Sequence, residues 1–140
     1  MLRKIIVQII CTLLLFGMTV TVYGAEMESE FKENLIEEFK YSRSTVVKLE
    51  KQGKTAVCLA RITGRMGVTT KLTVKCSLQK NKGGIWTTVE TWSDSTHQIV
   101  LSLRKERKVS GGTYRVHAVF HAYAGDKVET ITDNSGKVKF

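Results

Sequence analysis

Proline is absent from this 140-residue chain, and cysteine occurs only three times. Three cysteines are too few to staple a disulfide-dense miniprotein. Hydrophobic residues make up 42%, near the globular average, so the chain is neither disordered nor collagenous. The length allows one ordinary domain, not two. Acid is scarce: 13 Asp+Glu stand against 22 Lys+Arg, a formal net charge of +9. After the first two dozen residues no run is apolar enough to cross a bilayer as a helix.

What the N-terminus does have is an address. Arg3 and Lys4 precede an apolar stretch from Ile5 to Val22, and small residues follow at Gly24 and Ala25. A basic start, an apolar run and a small-residue exit read as a secretory signal peptide over 1–24, with the mature chain beginning at Ala25. The alternative is a retained anchor, but the run is short for a span and is diluted by Gln8, Thr12, Thr19 and Thr21. Cys11 lies mid-run after Ile10, which does not suit a lipidation site. The expected location is therefore extracellular or at the cell envelope, with no transmembrane segment after cleavage. Cys11 then leaves with the signal. Cys58 and Cys76 remain, and in an oxidising compartment they either pair or stay as two buried thiols. Pairing would close a short loop worth roughly 3 kcal/mol on the chain-entropy model.

Charge is segregated along the chain. Residues 25–41 carry six Glu against Lys32 and Lys40. From Ser42 onward there are 18 Lys+Arg against seven Asp+Glu, a net of +11. A strongly basic body attracts anionic partners at long range. For an exported protein these include lipid headgroups, an anionic envelope polymer and extracellular nucleic acid; solubility alone is the plainer explanation. The densest cluster, Arg104, Lys105, Arg107 and Lys108, interrupted by Glu106, reads as a loop between strands. No aromatics interleave it, so it lacks the stacking platforms of a single-strand binder, and no specific nucleic acid is expected. Within the acidic segment Phe31, Leu35 and Phe39 recur every fourth residue, which predicts a short amphipathic helical leader over 25–43, capped by Ser29.

From residue 44 the period changes to two. The predicted strands are Thr45–Glu50, Thr55–Ile62, Thr70–Gln79, Ile85–Trp92, His97–Leu103, Thr113–Tyr123 and Lys127–Thr132, with 137–140 as an extension. Turn signals lie at 51–54, 64–67, 81–84 and 124–126. In the third strand Leu72, Val74, Cys76 and Leu78 alternate with Lys71, Thr73, Lys75, Ser77 and Gln79. Such alternation marks a strand with one buried and one wet face, as in antiparallel sheets. Seven short strands evenly spaced over 44–140 predict an all-β, antiparallel sandwich of the immunoglobulin or fibronectin type III kind. Tyr114 opens the sixth strand, where such folds place a tyrosine whose hydroxyl bonds back to the preceding turn. Cys76 faces inward; Cys58 has ambiguous parity, because Val57 and Leu59 compete with Ala56, Ala60 and Ile62.

Several blocks carry a resemblance. They are Ile62-Thr63-Gly64 with Thr69-Thr70-Lys71-Leu72, Ser77-Leu78-Gln79-Lys80, Val89-Glu90-Thr91-Trp92-Ser93, Gly111-Gly112-Thr113-Tyr114-Arg115-Val116 and Glu129-Thr130-Ile131-Thr132. Together they resemble an uncharacterised family of small secreted proteins of Gram-positive bacteria. The resemblance implies a signal peptide followed by one β-sandwich. It implies no activity.

Signals for chemistry are few. His117 and His121 are four apart, a metal-binding spacing on a helix, but on a strand they lie roughly 13 Å apart, too far for one ion. Neither zinc-type cysteine spacing, a Gly-rich phosphate loop nor an acid pair stands out, and Ser93-Asp94-Ser95 near His97 reads as a turn rather than a triad. No cofactor or metal is expected. Trp86 and Trp92 share parity with Thr88 and Glu90, so they point either both outward, as a platform, or both into the core. The expectation is a non-catalytic sandwich module binding an anionic polymer, a glycan or a protein. Its candidate contacts are Trp86, Trp92, Tyr123, Arg104, Lys105, Arg107 and Lys108. The alternatives are a secreted hydrolase or bacteriocin-like effector, and a purely structural envelope role.

Overall fold

The computed structural model describes residues Phe39–Phe140. The expected signal peptide and most of the expected helical leader lie outside the described residues. The chain runs β1(Ser42–Gln52), β2(Thr55–Gly64), β3(Lys71–Lys82), β4(Ile85–Thr96), β5(Val100–Lys108), β6(Thr113–Ala124), β7(Lys127–Asn134) and β8(Val138–Lys139). One sheet has the order β1-β2-β5 and the other β4-β3-β6-β7, with β8 pairing with β6 beyond the end of β7. Every pairing is antiparallel. This is the seven-stranded immunoglobulin/fibronectin-type-III-like sandwich read from the sequence, with β8 as a short extension.

The core follows from strand parity. β3 and β6 are central strands, and their alternating apolar residues, including Leu72, Leu78, Val116 and Phe120, are fully buried between the sheets. In β2 the inward set is Ala56, Cys58, Ala60 and Ile62, which resolves the ambiguity at Cys58. Tyr114 is buried at the start of β6, and its hydroxyl donates to the Ser110 carbonyl at 2.9 Å, so the expected tyrosine corner is present.

Three expectations change. The tryptophans do not share a face. Leu78 pairs with Glu90 and Gln79 with Thr88, so Val89 is an extra residue that flips the parity of β4. Trp92 therefore lies opposite inward-facing Cys76 and packs partly buried on the core, whereas Trp86 lies opposite Asn81 on the outer face. The cluster Arg104–Lys108 is not a loop; it is the second half of β5, paired with β2. It has no apolar alternation because β5 is an edge strand and residues 104–108 all stay exposed, and charge there discourages pairing with another chain. Ser93, Asp94 and Ser95 are strand residues of β4, not a turn, and His97 precedes β5, which begins at Val100.

The sandwich has two open flanks, where edge strands of different sheets meet. At the β1/β7 flank, Glu129 accepts backbone N–H bonds from Lys40, Tyr41 and Ser42 at 2.7, 2.9 and 3.0 Å, plus the Ser42 hydroxyl at 3.1 Å. Asp133 accepts from the Thr45 hydroxyl at 3.3 Å. Arg65 Nε donates to the Phe39 and Ser42 carbonyls, and Thr69 Oγ1 donates to the Tyr41 carbonyl while accepting from Arg65 N. Gly64 makes room for this: a Cβ there would stand 2.7–2.8 Å from the Thr69 side chain. At the β4/β5 flank an ion pair ties the sheets, Arg107 Nη1 to Glu90 Oε2 at 2.5 Å.

Candidate functional site

In this topology connections β1–β2, β3–β4 and β5–β6 meet at one pole, together with β8. Cations flank each of them. Lys51 and Lys54 bracket the first turn, Lys80 and Lys82 precede the second, and Arg107 and Lys108 precede the third. Lys137 and Lys139 add the contribution of the last segment. Of these eight, all but half-buried Lys80 are exposed. Of the nearby acids, Glu50 is exposed beside Lys51, Glu106 is engaged by Arg104 at 2.6 Å, and Glu90 is engaged by Arg107. The opposite pole carries Lys40, Arg43, Arg65, Lys71 and Lys127 together with Asp126 and Glu129. Among the described residues the larger excess of positive charge therefore lies at the first pole.

A cleft of about 310 Å³ opens at this pole, between the sheets at the β4/β5 flank. Lys80, Lys82, Arg107 and Lys108 line it, with hydroxyls from Thr87, Thr88, Ser110 and Tyr114, and among the described residues none of its lining is acidic. Lys80 is held in place. Its Nζ donates to Ser110 Oγ at 3.0 Å and stands 5.6 Å from the Tyr114 ring centroid. Its Cε passes 2.7 Å from where Gly112 would carry a Cβ, so the lysine crosses the loop directly over this glycine. Gly112 also has φ +146°, a conformation other residues avoid. A neighbouring hollow of about 390 Å³ continues over Lys51, Lys54, Val109 and Phe140.

The sequence-predicted contacts divide. Arg107 and Lys108 belong to the cleft; Arg104 and Lys105 lie farther along exposed β5. Trp86, Arg115, His117, His121 and Tyr123 share the outer face of the second sheet. Its aromatic rings carry the chain's own cations: the Arg115 guanidinium sits 4.4 Å and Lys137 Nζ 5.9 Å from the Trp86 centroid, and Lys71 Nζ 5.6 Å from that of Tyr123. Arg115 is fixed there by Gln79 Oε1, which accepts from its Nε at 2.8 Å. A shallow depression on this face brings Thr73, Lys75, Asp94 and His121 together. The histidines are held by structural partners: His121 Nδ1 lies 3.2 Å from Thr73 Oγ1, His117 Nδ1 2.7 Å from Asn134 Oδ1, and His97 Nδ1 3.2 Å from the Thr70 carbonyl.

Cys58 and Cys76 are free thiols, both fully buried. Burial pushes the Cys58 thiol up to about 12, helped by the nearby Cys76 and Glu90, and burial alone pushes Cys76 up to about 11. Both are neutral at physiological pH and inert as nucleophiles.

Sequence reasoning missed Lys51, Lys54, Lys80, Lys82, Lys137 and Lys139 as a group. The signal was available: in this order of strands alternate connections share a pole, and cations flank the first, third and fifth.

No family model and no curated protein matches the chain. Among solved structures it is similar to β-glucosidase 3B from Thermotoga neapolitana in complex with α-D-glucose, at TM-score 0.39 and 13% identity, over 69% of this chain and 16% of that one. It is also similar to OgpA from Akkermansia muciniphila, at TM-score 0.37 and 8% identity, over 69% of this chain and 30% of that one. The chain spans well under a third of the first protein and under a third of the second.

Proposed function

We propose that this protein is an exported, non-catalytic β-sandwich module that binds an anionic polymer at or outside the cell envelope through its basic pole. The observation that carries this reading is the gathering of eight Lys and Arg side chains at one end of the domain, around a cleft that has no acidic lining among the described residues. Attraction from such a pole raises the encounter rate with polyanions and orients the domain as it arrives. The glycan version of the reading is weaker, because a sugar ring needs an open aromatic face and Trp86 already has Arg115 against its ring.

The test is affinity for a long-chain polyanion, such as a sulfated polysaccharide or polyphosphate, measured from 50 to 200 mM salt. Releasing condensed counterions from six or more contacts makes affinity fall by roughly 10³-fold over that range, and at least a tenfold fall is expected here. Replacing Lys51, Lys54, Lys137 and Lys139 together by Gln lowers both the affinity and its salt slope. Binding that ignores salt, or equal retention on a neutral polysaccharide, overturns the reading.

A further inference from the structure

We propose that the cleft between β4 and β5 is a seat for a phosphoryl group, which makes phosphate, rather than carboxylate, the anion that this pole recognises. The inference rests on the reading of the pole as a polyanion site and names its ligand chemistry.

The donor set carries the choice. An arginine fork meets carboxylate and phosphate alike with two parallel N–H bonds, whereas lysine binds phosphate as a point charge. The one arginine lining the cleft already gives Nη1 to Glu90. What remains is Lys80, Lys82 and Lys108, with hydroxyls from Thr87, Thr88 and Ser110. Ammonium groups are point charges with three donors each, and hydroxyls add donors from other directions. That set surrounds a tetrahedral oxyanion with several terminal oxygens and offers little to a flat one.

Preorganisation adds to the argument. Lysine normally loses much side-chain freedom when it binds. Lys80 has already lost part of it, pinned by Ser110 and the Tyr114 ring. A site whose central cation is set before the ligand arrives binds it at lower entropic cost. Ser110 is itself tied into the tyrosine corner, so the seat is built on the rigid turn of the fold.

The experiment is calorimetric titration of the full protein with tripolyphosphate, with citrate as the carboxylate control, and co-sedimentation with vesicles containing phosphatidylglycerol. Saturable one-to-one binding of tripolyphosphate at least tenfold tighter than citrate is expected. Lys80→Met should lower it about tenfold, while Lys127→Met, which removes the same charge from an exposed position at the opposite pole, should change it less than twofold. Ser110→Ala, which unpins Lys80 without changing charge, should give a loss of a few fold and guards against a folding defect in the first variant. Lys80-dependent binding seen only with vesicles supports the seat and identifies a lipid headgroup as the source of the phosphoryl group. Citrate binding as tightly as tripolyphosphate, or equal effects of Lys80→Met and Lys127→Met, overturns the seat while leaving salt-dependent polyanion binding intact. Failure of both tripolyphosphate and long polyanions to bind overturns the seat and the functional reading together.

Discussion

The two flanks of the sandwich solve the same problem in opposite ways. Each must close a gap between edge strands that belong to different sheets. At the β1/β7 flank the inward-facing acids Glu129 and Asp133 reach across to β1 and to the residues preceding it, and the Glu129 carboxylate alone accepts four bonds. At the β4/β5 flank an exposed ion pair and the rim of Trp92 do the work, and a cationic cleft stays open beside them. Backbone N–H groups that are partly buried must find acceptors, so the first flank is committed to structure. The second leaves its charges in water, where they contribute little to stability and are free to meet a ligand.

That contrast can be broken or sharpened by substitution. The largest effect comes from the core that both flanks share: Phe120→Ala leaves a cavity between the sheets and should cost about 3–5 kcal/mol, read as a lowered urea midpoint. Glu129→Ala orphans three backbone donors and should cost about 3 kcal/mol, with faster amide exchange at Tyr41 and Ser42. Gly64→Ala pushes into Thr69 and loosens the same clamp, for about 1–3 kcal/mol. At the other flank Glu90→Gln should change stability by about 0.5 kcal/mol or less. A loss at Glu90 equal to that at Glu129 would erase the distinction.

A pH titration probes the interior between the flanks. The folded thiols of Cys58 and Cys76 hold their protons up to about 12 and 11, whereas unfolded thiols release theirs near 9. Above pH 9 the unfolded state therefore binds fewer protons, and stability falls as pH rises. Their contribution is complete below pH 9 and is lost progressively toward pH 11–12. Each thiol adds at most about 1.4 kcal/mol per pH unit in that window. The melting temperature should drop more steeply above pH 9 in the natural protein than in a Cys58→Ala/Cys76→Ala variant. Equal slopes would show that the thiols are not the titrating groups.

Legibility in the sequence followed burial. β3 and β6 could be read residue by residue, because a central strand with one dry face must alternate. β4 could not be read past Val89, because a single extra residue reverses parity without any change in composition, and so the tryptophans parted company. The second half of β5 lost its period because neither of its sides is covered by core. The Glu129 clamp was invisible for another reason: its partners lie 87–89 residues away, and no local pattern records such a meeting. The basic pole stood between these cases. Its charges were countable in the sequence, but their convergence needed the order of the strands.

The Phe39–Ser42 clamp has a mechanical consequence. Phe39 is held beside Arg65, whereas Phe140 exchanges backbone bonds with Gly112 at the opposite pole. Tension between these two points runs along β1 rather than across it, so its ten register pairs with β2 resist together instead of opening one at a time. A polymer pulling on the basic pole of a chain tethered upstream of Phe39 would strain the fold in shear. Single-molecule extension from those two ends should show one abrupt high-force rupture, and a gradual low-force unzipping would contradict it.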